Sequence, residues 1–415
     1  MLRLHAGVEG GGTSTTVVVS MGDQILGTES TIASNPFLLG KEPEKTITKI
    51  VSECVLNILS KYNESKEDRK LNDPKLYSMV MTMSGYGRKH DAIVLEEAII
   101  ASGLAKHCVV AGDSAGSLEC LHSWLSVTSS TQEPSSNIKT TQPSHGIVLI
   151  SGTGSACFRY DLKTNQSNSS SSTSSTPSSS SSSQGDAFRH RFSNYDGRVG
   201  GRGHLLGDQG SAYWIGQQAL STAFLAHDGL LTRPSEVALV NIAKDFYQVE
   251  EMVDLIPIVH DVSKGKTKVA SFCERVMSEA RDNESSQATH EIVIEAAEWL
   301  ARMTSAVIPS NNQEDVHVVL LLVGSVWKSY DMLKEHFIER LILPTMESTI
   351  ELLRLKKSAA YGCVDAAYRM FNGSDKIDKS DKSEEFKSAT TVSTKIAAAS
   401  AVEKIEIIKG LELLL

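Results

Sequence analysis

Glu9-Gly10-Gly11-Gly12-Thr13, running into Ser14-Thr15-Thr16-Val17-Val18-Val19, is the stretch that decides the fold. Three consecutive glycines permit tight turns and let the backbone approach a ligand closely. In P-loop and dinucleotide-binding folds such a turn opens a helix whose amino end holds phosphate. Here it opens a β-branched run that reads as a strand. Met1 to Val8 also alternates as a strand, so the glycines form a hairpin tip. Backbone N–H groups and the Thr13 hydroxyl at such a tip can cradle a phosphate as a nest. A β-hairpin turn without a ligand accounts for the same residues equally well.

The pattern returns further along the chain. Gly146 to Ile150 is a short apolar strand, followed by Ser151-Gly152-Thr153-Gly154-Ser155 and the strand-like Ala156 to Tyr160. Two strand–glycine/threonine–strand units suggest one structural idea used twice, gripping a polyphosphate from two sides.

Composition narrows the class. A chain of 415 residues is long enough for two or three domains. Its net charge of -9 argues against nucleic acid or an anionic membrane as partner, because both attract basic faces. No apolar run reaches the length of a membrane span, and the early first strand leaves no room for a removable signal peptide. Cys54, Cys108, Cys120, Cys157, Cys273 and Cys363 show no CxxC and no metal-ligand spacing, so they read as reduced thiols in a cytoplasmic protein.

After the hairpin and a third strand, Gln24 to Thr31, residues 43–62 show a helical period. Leu76 to Met83 reads as a buried strand, Asp91 to Ser102 as a helix, and His107 to Ala111 as a strand ending at Gly112-Asp113. A meander followed by alternating helices and strands implies a mixed sheet covered by helices. Ser123 to His145 and Thr164 to Gln184 are serine- and threonine-rich and read as disordered loops. From Gly210 the chain is mostly helical by period: Ser211 to Ala226, Ser235 to Phe246, Val269 to Arg281 and His290 to Val307. Val316 to Val323 is a strand, and Val326 to Leu341 a helix beyond the Gly324-Ser325 junction. The tail after Gly373 is of low complexity, with an amphipathic helix expected over Val402 to Leu415.

Candidate chemistry gathers at strand ends and glycine turns. Asp113 reads either as a cap on the following helix or as a general base for a hydroxyl. The run 200–210 holds five glycines with Asp208, Arg202 and His204, residues suited to an anion or to sugar hydroxyls. Asp208 also reads as a cap on the helix after it. Glu9 could hold magnesium through water. Together these features suggest phosphoryl transfer to a small hydroxyl compound.

GVEGGGT (7–13), GIVLISGTGS (146–155), GGRGHLLGDQGSAYWI (200–215) and LLVGSVWKSYDMLKE (321–335) resemble the eukaryotic N-acetylglucosamine kinases. That family sits with the BadF/BcrA-type ATPases in the actin/sugar kinase/Hsp70 superfamily, and the likeness runs over about residues 5–370. It implies an α/β fold of two ribonuclease-H-like domains with a ligand cleft between them. The division expected is 1–117, completed by a helix near 358–372, then 118–357 with insertions at 123–145 and 164–187, then a disordered tail at 373–415. Carried over by motif, Gly11, Gly12, Thr13, Thr153 and Gly154 lie in the two phosphate loops, and Gly324 and Ala270 match further ATP contacts. Asn35, Pro36, Asp113, Gly201, Arg202 and Asp208 match sugar-binding positions. Asp113 would be the base for the 6-hydroxyl, with magnesium on the phosphates and Glu9 near it.

Substrate and cofactor would be N-acetylglucosamine and ATP, in a homodimer. The alternatives are a related amino sugar, a muramyl peptide, or a nucleotide-dependent sugar sensor without turnover. Departures from the family pattern are Arg202 in place of tryptophan, Pro36-Phe37 in place of His-Trp, and Glu9 where many superfamily members have aspartate. The activator-ATPase branch needs cysteines that hold an iron–sulfur cluster between subunits, and the scattered six supply no obvious pair.

Overall fold

The structure is a computed structural model that describes residues 3–65, 75–131, 143–162, 195–262, 264–309, 315–345, 347–372 and 402–409. The chain divides into two compact units. One comprises Met1–Thr141, Lys163–Tyr195 and Leu355–Glu403, the other Gln142–Leu162, Asp196–Arg354 and Lys404–Leu415.

In the first unit β1 (Leu4–Gly10), β2 (Ser14–Met21) and β3 (Gln24–Ile32) form an antiparallel meander. Helix α1 (Pro43–Glu64) leads to β4 (Leu76–Met83), and α2 (Lys89–Ala101) to β5 (Ala105–Gly112). Both later strands run parallel to β1, giving the order β3-β2-β1-β4-β5. Helices cover both faces, so the central strands are apolar on both sides. Val17 and Val19 pack with α1 residues such as Val51 and Val55. Val18, pointing the other way, packs against Ala360 and Val364 of the later helix Ala360–Asn372.

The second unit repeats the plan. β6 (His145–Ser151), β7 (Ser155–Asp161) and β8 (Gly197–Gly200) are an antiparallel meander. β9 (His317–Val323) and β10 (Thr349–Leu355) then add in parallel beside β6. The order is β11-β10-β9-β6-β7-β8, the first unit's arrangement with β11 (Val402–Lys409) added. Helices α4 (Ala212–His227), α5 (Pro234–Tyr247), α6 (Leu255–Val259), α7 (Gly265–Asp282) and α8 (Gln287–Val307) follow β8. Ile147, Leu149, Leu320 and Leu322 share one core with Ile215, Phe272 and Leu300 of these helices.

Several expectations are corrected. Ser123–Thr131 is helical, as the end of α3 (Ser114–Thr131), whose buried face of Leu118, Leu121 and Ser123 carries the helix into that segment. Residues 132–142 and 163–194 lie outside the described residues, and with them most of both serine-rich stretches. Residues 325–341 open with a 3-10 turn, Ser325–Ser329, before α9 (Tyr330–Glu339) begins. The tail supplies a strand where a helix was expected. Val402 is buried, Ile405 packs on the core, and Lys404 pairs with Glu351 of β10 at 2.6 Å. A sheet edge in need of partners overrides local helical periodicity there. Helix α10 (Ala360–Asn372) closes the first unit.

All six cysteines are free and buried. Among the described residues no helix is long and apolar enough to cross a membrane.

Two histidines of the first unit make it acid-sensitive. Burial, with Arg3 adding to it, lowers His5 from 6.5 to about 4. Burial, with Arg369 adding to it, lowers His122 from 6.5 to about 4. Both are neutral when folded and titrate near 6.5 when unfolded. Their contribution is therefore complete above pH 6.5 and is lost as pH falls from 6.5 toward about 4. Thermal melts across that window should fall steadily with acid, and His122→Gln should flatten the slope. An unchanged slope in the variant would rule out His122 as a contributor.

Candidate active site

In the first unit the parallel strands β1, β4 and β5 end level with one another. Gly10 faces Met83, and Met83 faces Gly112. Ligands of open α/β sheets bind beyond such carboxyl ends. Asp113 follows β5 directly and precedes α3. It is half-buried at the amino end of that helix. On the same edge, Ser84 N–H donates to the Gly10 carbonyl at 2.8 Å.

Glu9 has internal partners. The Ser358 hydroxyl donates to its Oε2, and Ala359 N–H donates to the same oxygen at 2.8 Å. It thereby holds the chain just before α10. Burial raises its pKa against these two hydrogen bonds, and the nearby Asp113 charge raises it further. Gly11 N–H closes the glycine tip onto the Ser14 carbonyl at 2.9 Å, which leaves Thr13 exposed.

Asn35 caps the short turn Pro36–Leu38. Its Oδ1 accepts from Phe37 N–H at 3.0 Å and its Nδ2 donates to Ser84 Oγ at 3.3 Å. Pro36 packs over Gly85, and the Phe37 ring is 84 % exposed. Two hydroxyls that sequence reasoning missed belong to the same corner. Ser34 Oγ and the Tyr86 hydroxyl are buried with no partner among the described residues. Buried polar groups are almost always satisfied, so such atoms invite a water or a ligand. A serine and a tyrosine in ordinary context carry no signal of this in the sequence.

In the second unit the tip between β6 and β7 is fastened on three sides. Gly152 N–H donates to Gly154 O at 3.0 Å, Ala212 N–H donates to Gly152 O at 2.8 Å, and Ser151 Oγ donates to Gly210 O at 2.8 Å. Gly324 stands against it at φ +112°, where a Cβ would lie 2.2 Å from the Ser151 carbonyl oxygen. The turn after β9 and the β6–β7 tip thus form one surface.

Asp208 is not the cap of α4. That role falls to Ser211, whose Oγ accepts from Trp214 N–H at 3.2 Å. Asp208 is 3 % exposed at φ 62°, and its carboxylate turns toward the tip. Ser155 N–H donates to its Oδ1 at 3.4 Å, and a Cβ on Gly154 would lie 2.8 Å from its Oδ2. Lys266 Nζ, unremarked in the sequence, lies 3.6 Å from the same Oδ2. His204 stacks edge-on with Tyr213 at 4.7 Å. Burial lowers its pKa, Lys266 lowers it further, and Asp208 opposes both.

The structure therefore brings together Thr153, Gly154, Asp208 and Gly324. Gly201 N–H ties the next loop to Ser155 O at 2.8 Å, whereas Arg202 is exposed, as are Leu205 and Leu206. Ala270 is 6 % exposed and its side chain lies in the core.

No protein-family model matches the chain. It is 23 % identical over 367 residues to an N-acetylmuramic acid/N-acetylglucosamine kinase of Clostridium acetobutylicum, covering 88 % of this chain and 97 % of that protein. To an N-acetyl-D-glucosamine kinase of Dictyostelium discoideum it is 23 % identical, covering 74 % of this chain and 79 % of the other. A crystal structure from Chromobacterium violaceum, provisionally named an N-acetylglucosamine kinase, superposes with TM-score 0.57 at 18 % identity, over 88 % of this chain and 98 % of that one. One from Porphyromonas gingivalis, named in the same provisional way, gives 0.56 at 17 % identity, over 90 % of this chain and 100 % of that one. The chain thus has the α/β fold of these two crystal structures and is similar in sequence, along most of its length, to amino-sugar kinases.

Proposed function

We propose that the chain transfers the γ-phosphoryl group of ATP to the 6-hydroxyl of an amino sugar, with N-acetylglucosamine the first candidate. The observation that carries this reading is Asp113, a carboxylate at the end of a parallel strand, level with the glycine tip after β1. In the reaction Asp113 takes the proton of the sugar hydroxyl, whose oxygen attacks the γ-phosphorus. The bond to the β-phosphate oxygen breaks and ADP leaves.

The first unit supplies Gly11, Gly12 and Thr13 for phosphate, with Asn35 and Pro36 for the sugar. From the second unit come Thr153 and Gly154 for phosphate, Gly324 and Ala270 for the adenosine side, and Gly201, Arg202 and Asp208 for the sugar. Among the described residues no three His, Cys, Asp or Glu side chains gather as a metal cage. Magnesium would arrive with the nucleotide, since this ion keeps waters and phosphate oxygens as ligands. It would screen phosphate charge, with Glu9 reaching it through water. A cytoplasmic homodimer, related to the eukaryotic kinases and the BadF/BcrA group, completes the reading.

A second substrate is favoured by one observation, the exposed Arg202 where an apolar contact is expected. A guanidinium there suits an anionic or larger amino sugar, such as a muramyl compound. An ATP-coupled panel with magnesium tests both: N-acetylglucosamine, N-acetylmannosamine, glucosamine, glucose, a muramyl peptide and a blank. N-acetylglucosamine should turn over fastest and the blank negligibly. Faster turnover of the muramyl peptide reassigns the substrate, and no turnover despite ATP binding makes the chain a sensor.

A further inference from the structure

Lys266 is a side chain that the second unit brings close to the glycine tip, through Asp208. It lies in the first turn of α7, an 18-residue helix. A cation there opposes the helix dipole, which favours anions at that end. Something anionic must hold it, and Asp208 does so at 3.6 Å. Asp208 in turn touches Ser155 N–H and crowds Gly154, so the ammonium stands over the β6–β7 tip. One helical turn on, at i+4, α7 carries Ala270, so both positions lie on one face of the helix. Lys266 remains 30 % exposed, within reach of solvent and of a ligand.

We propose that Lys266 binds the β- or γ-phosphate of ATP, and that its pair with Asp208 couples nucleotide binding to sugar binding. The proposal rests on the kinase reading above. Without ligands the ammonium and the Asp208 carboxylate pair as charges across 3.6 Å. A sugar hydroxyl donating to Asp208 shares that carboxylate and frees the ammonium for a phosphate oxygen. Sugar should therefore tighten binding of the triphosphate, and the triphosphate should tighten binding of sugar by the same factor.

Calorimetric titration of the full chain tests this, using AMP and a non-hydrolysable ATP analogue with magnesium, each with and without N-acetylglucosamine. In Lys266→Met, analogue affinity should fall about 10- to 100-fold, as for loss of one charge-assisted hydrogen bond, with AMP affinity unchanged. Sugar should no longer tighten the analogue. Lys266→Arg, which keeps the charge, should retain most of the affinity. The double variant Lys266→Met with Asp208→Asn removes the buried charge left behind and separates misfolding from lost binding: folded by its thermal melt, it should still bind AMP normally and the analogue weakly. Equal losses for AMP and analogue, or no loss for either, would assign Lys266 a purely structural role and overturn the proposal. Wild-type protein that binds neither nucleotide would overturn the kinase reading itself, and the proposal with it.

Discussion

Asp113→Asn is expected to lower kcat for sugar phosphorylation by about 10²- to 10⁴-fold, the range a positioned general base contributes. The change is isosteric and leaves the strand–helix junction of β5 and α3 intact, so KM for sugar and ATP should move little. The asparagine amide cannot take the proton of the attacking hydroxyl, whereas it can still cap α3 as well as aspartate does. That separates the two roles which the position alone allows. If Asp113 is only a cap, activity survives the substitution and thermal stability is also retained. If it is the base, single-turnover rates collapse while melts and nucleotide titrations stay as in wild type. Neighbouring Glu9 offers a second readout: removing the Asp113 charge removes one of the causes that raise its pKa. A carboxyl titration near Glu9 followed by NMR should move down in the variant. Full phosphoryl transfer by Asp113→Asn would remove this mechanism.

Gly324→Ala is expected to destabilise the second unit by about 3 kcal/mol or more and to abolish nucleotide binding. Two costs add. A side chain at φ +112° stores about 1–3 kcal/mol of backbone strain. Its Cβ would also lie 2.2 Å from Ser151 O and 2.9 Å from Gly152 N, and both contacts are backbone atoms in a hydrogen-bonded tip. No rotamer change relieves a clash of that kind, so either the turn after β9 or the β6–β7 tip must move. Denaturant melts and the same nucleotide titration check it. An alanine variant that melts and binds like wild type would show that the turn and the tip are not rigidly apposed.

These effects fall on residues the sequence already singles out, and the reason is local. A glycine-rich tip between β-branched runs constrains its own backbone, so both hairpins, the Gly324 turn and the strand end at Asp113 are legible from neighbours in the chain. Most helices were too, because a buried stripe at helical spacing leaves a periodic pattern. β8 and β10 carry no such local signal. Gly197–Gly200 is four residues with two glycines, and Thr349–Leu355 alternates in polarity too weakly to tell strand from helix.

By itself the sequence determined the class of fold, the glycine tips and the shortlist of carboxylates, because each rests on chemistry within a few residues of chain. Tertiary structure alone decided what each side chain does. It made Val402–Lys409 a strand by offering it the edge of β10. It gave Glu9 to the start of α10 and turned Asp208 onto Ser155 and Lys266. Those partners lie tens to hundreds of positions apart in the chain, and burial leaves a carboxylate only such distant donors to satisfy it.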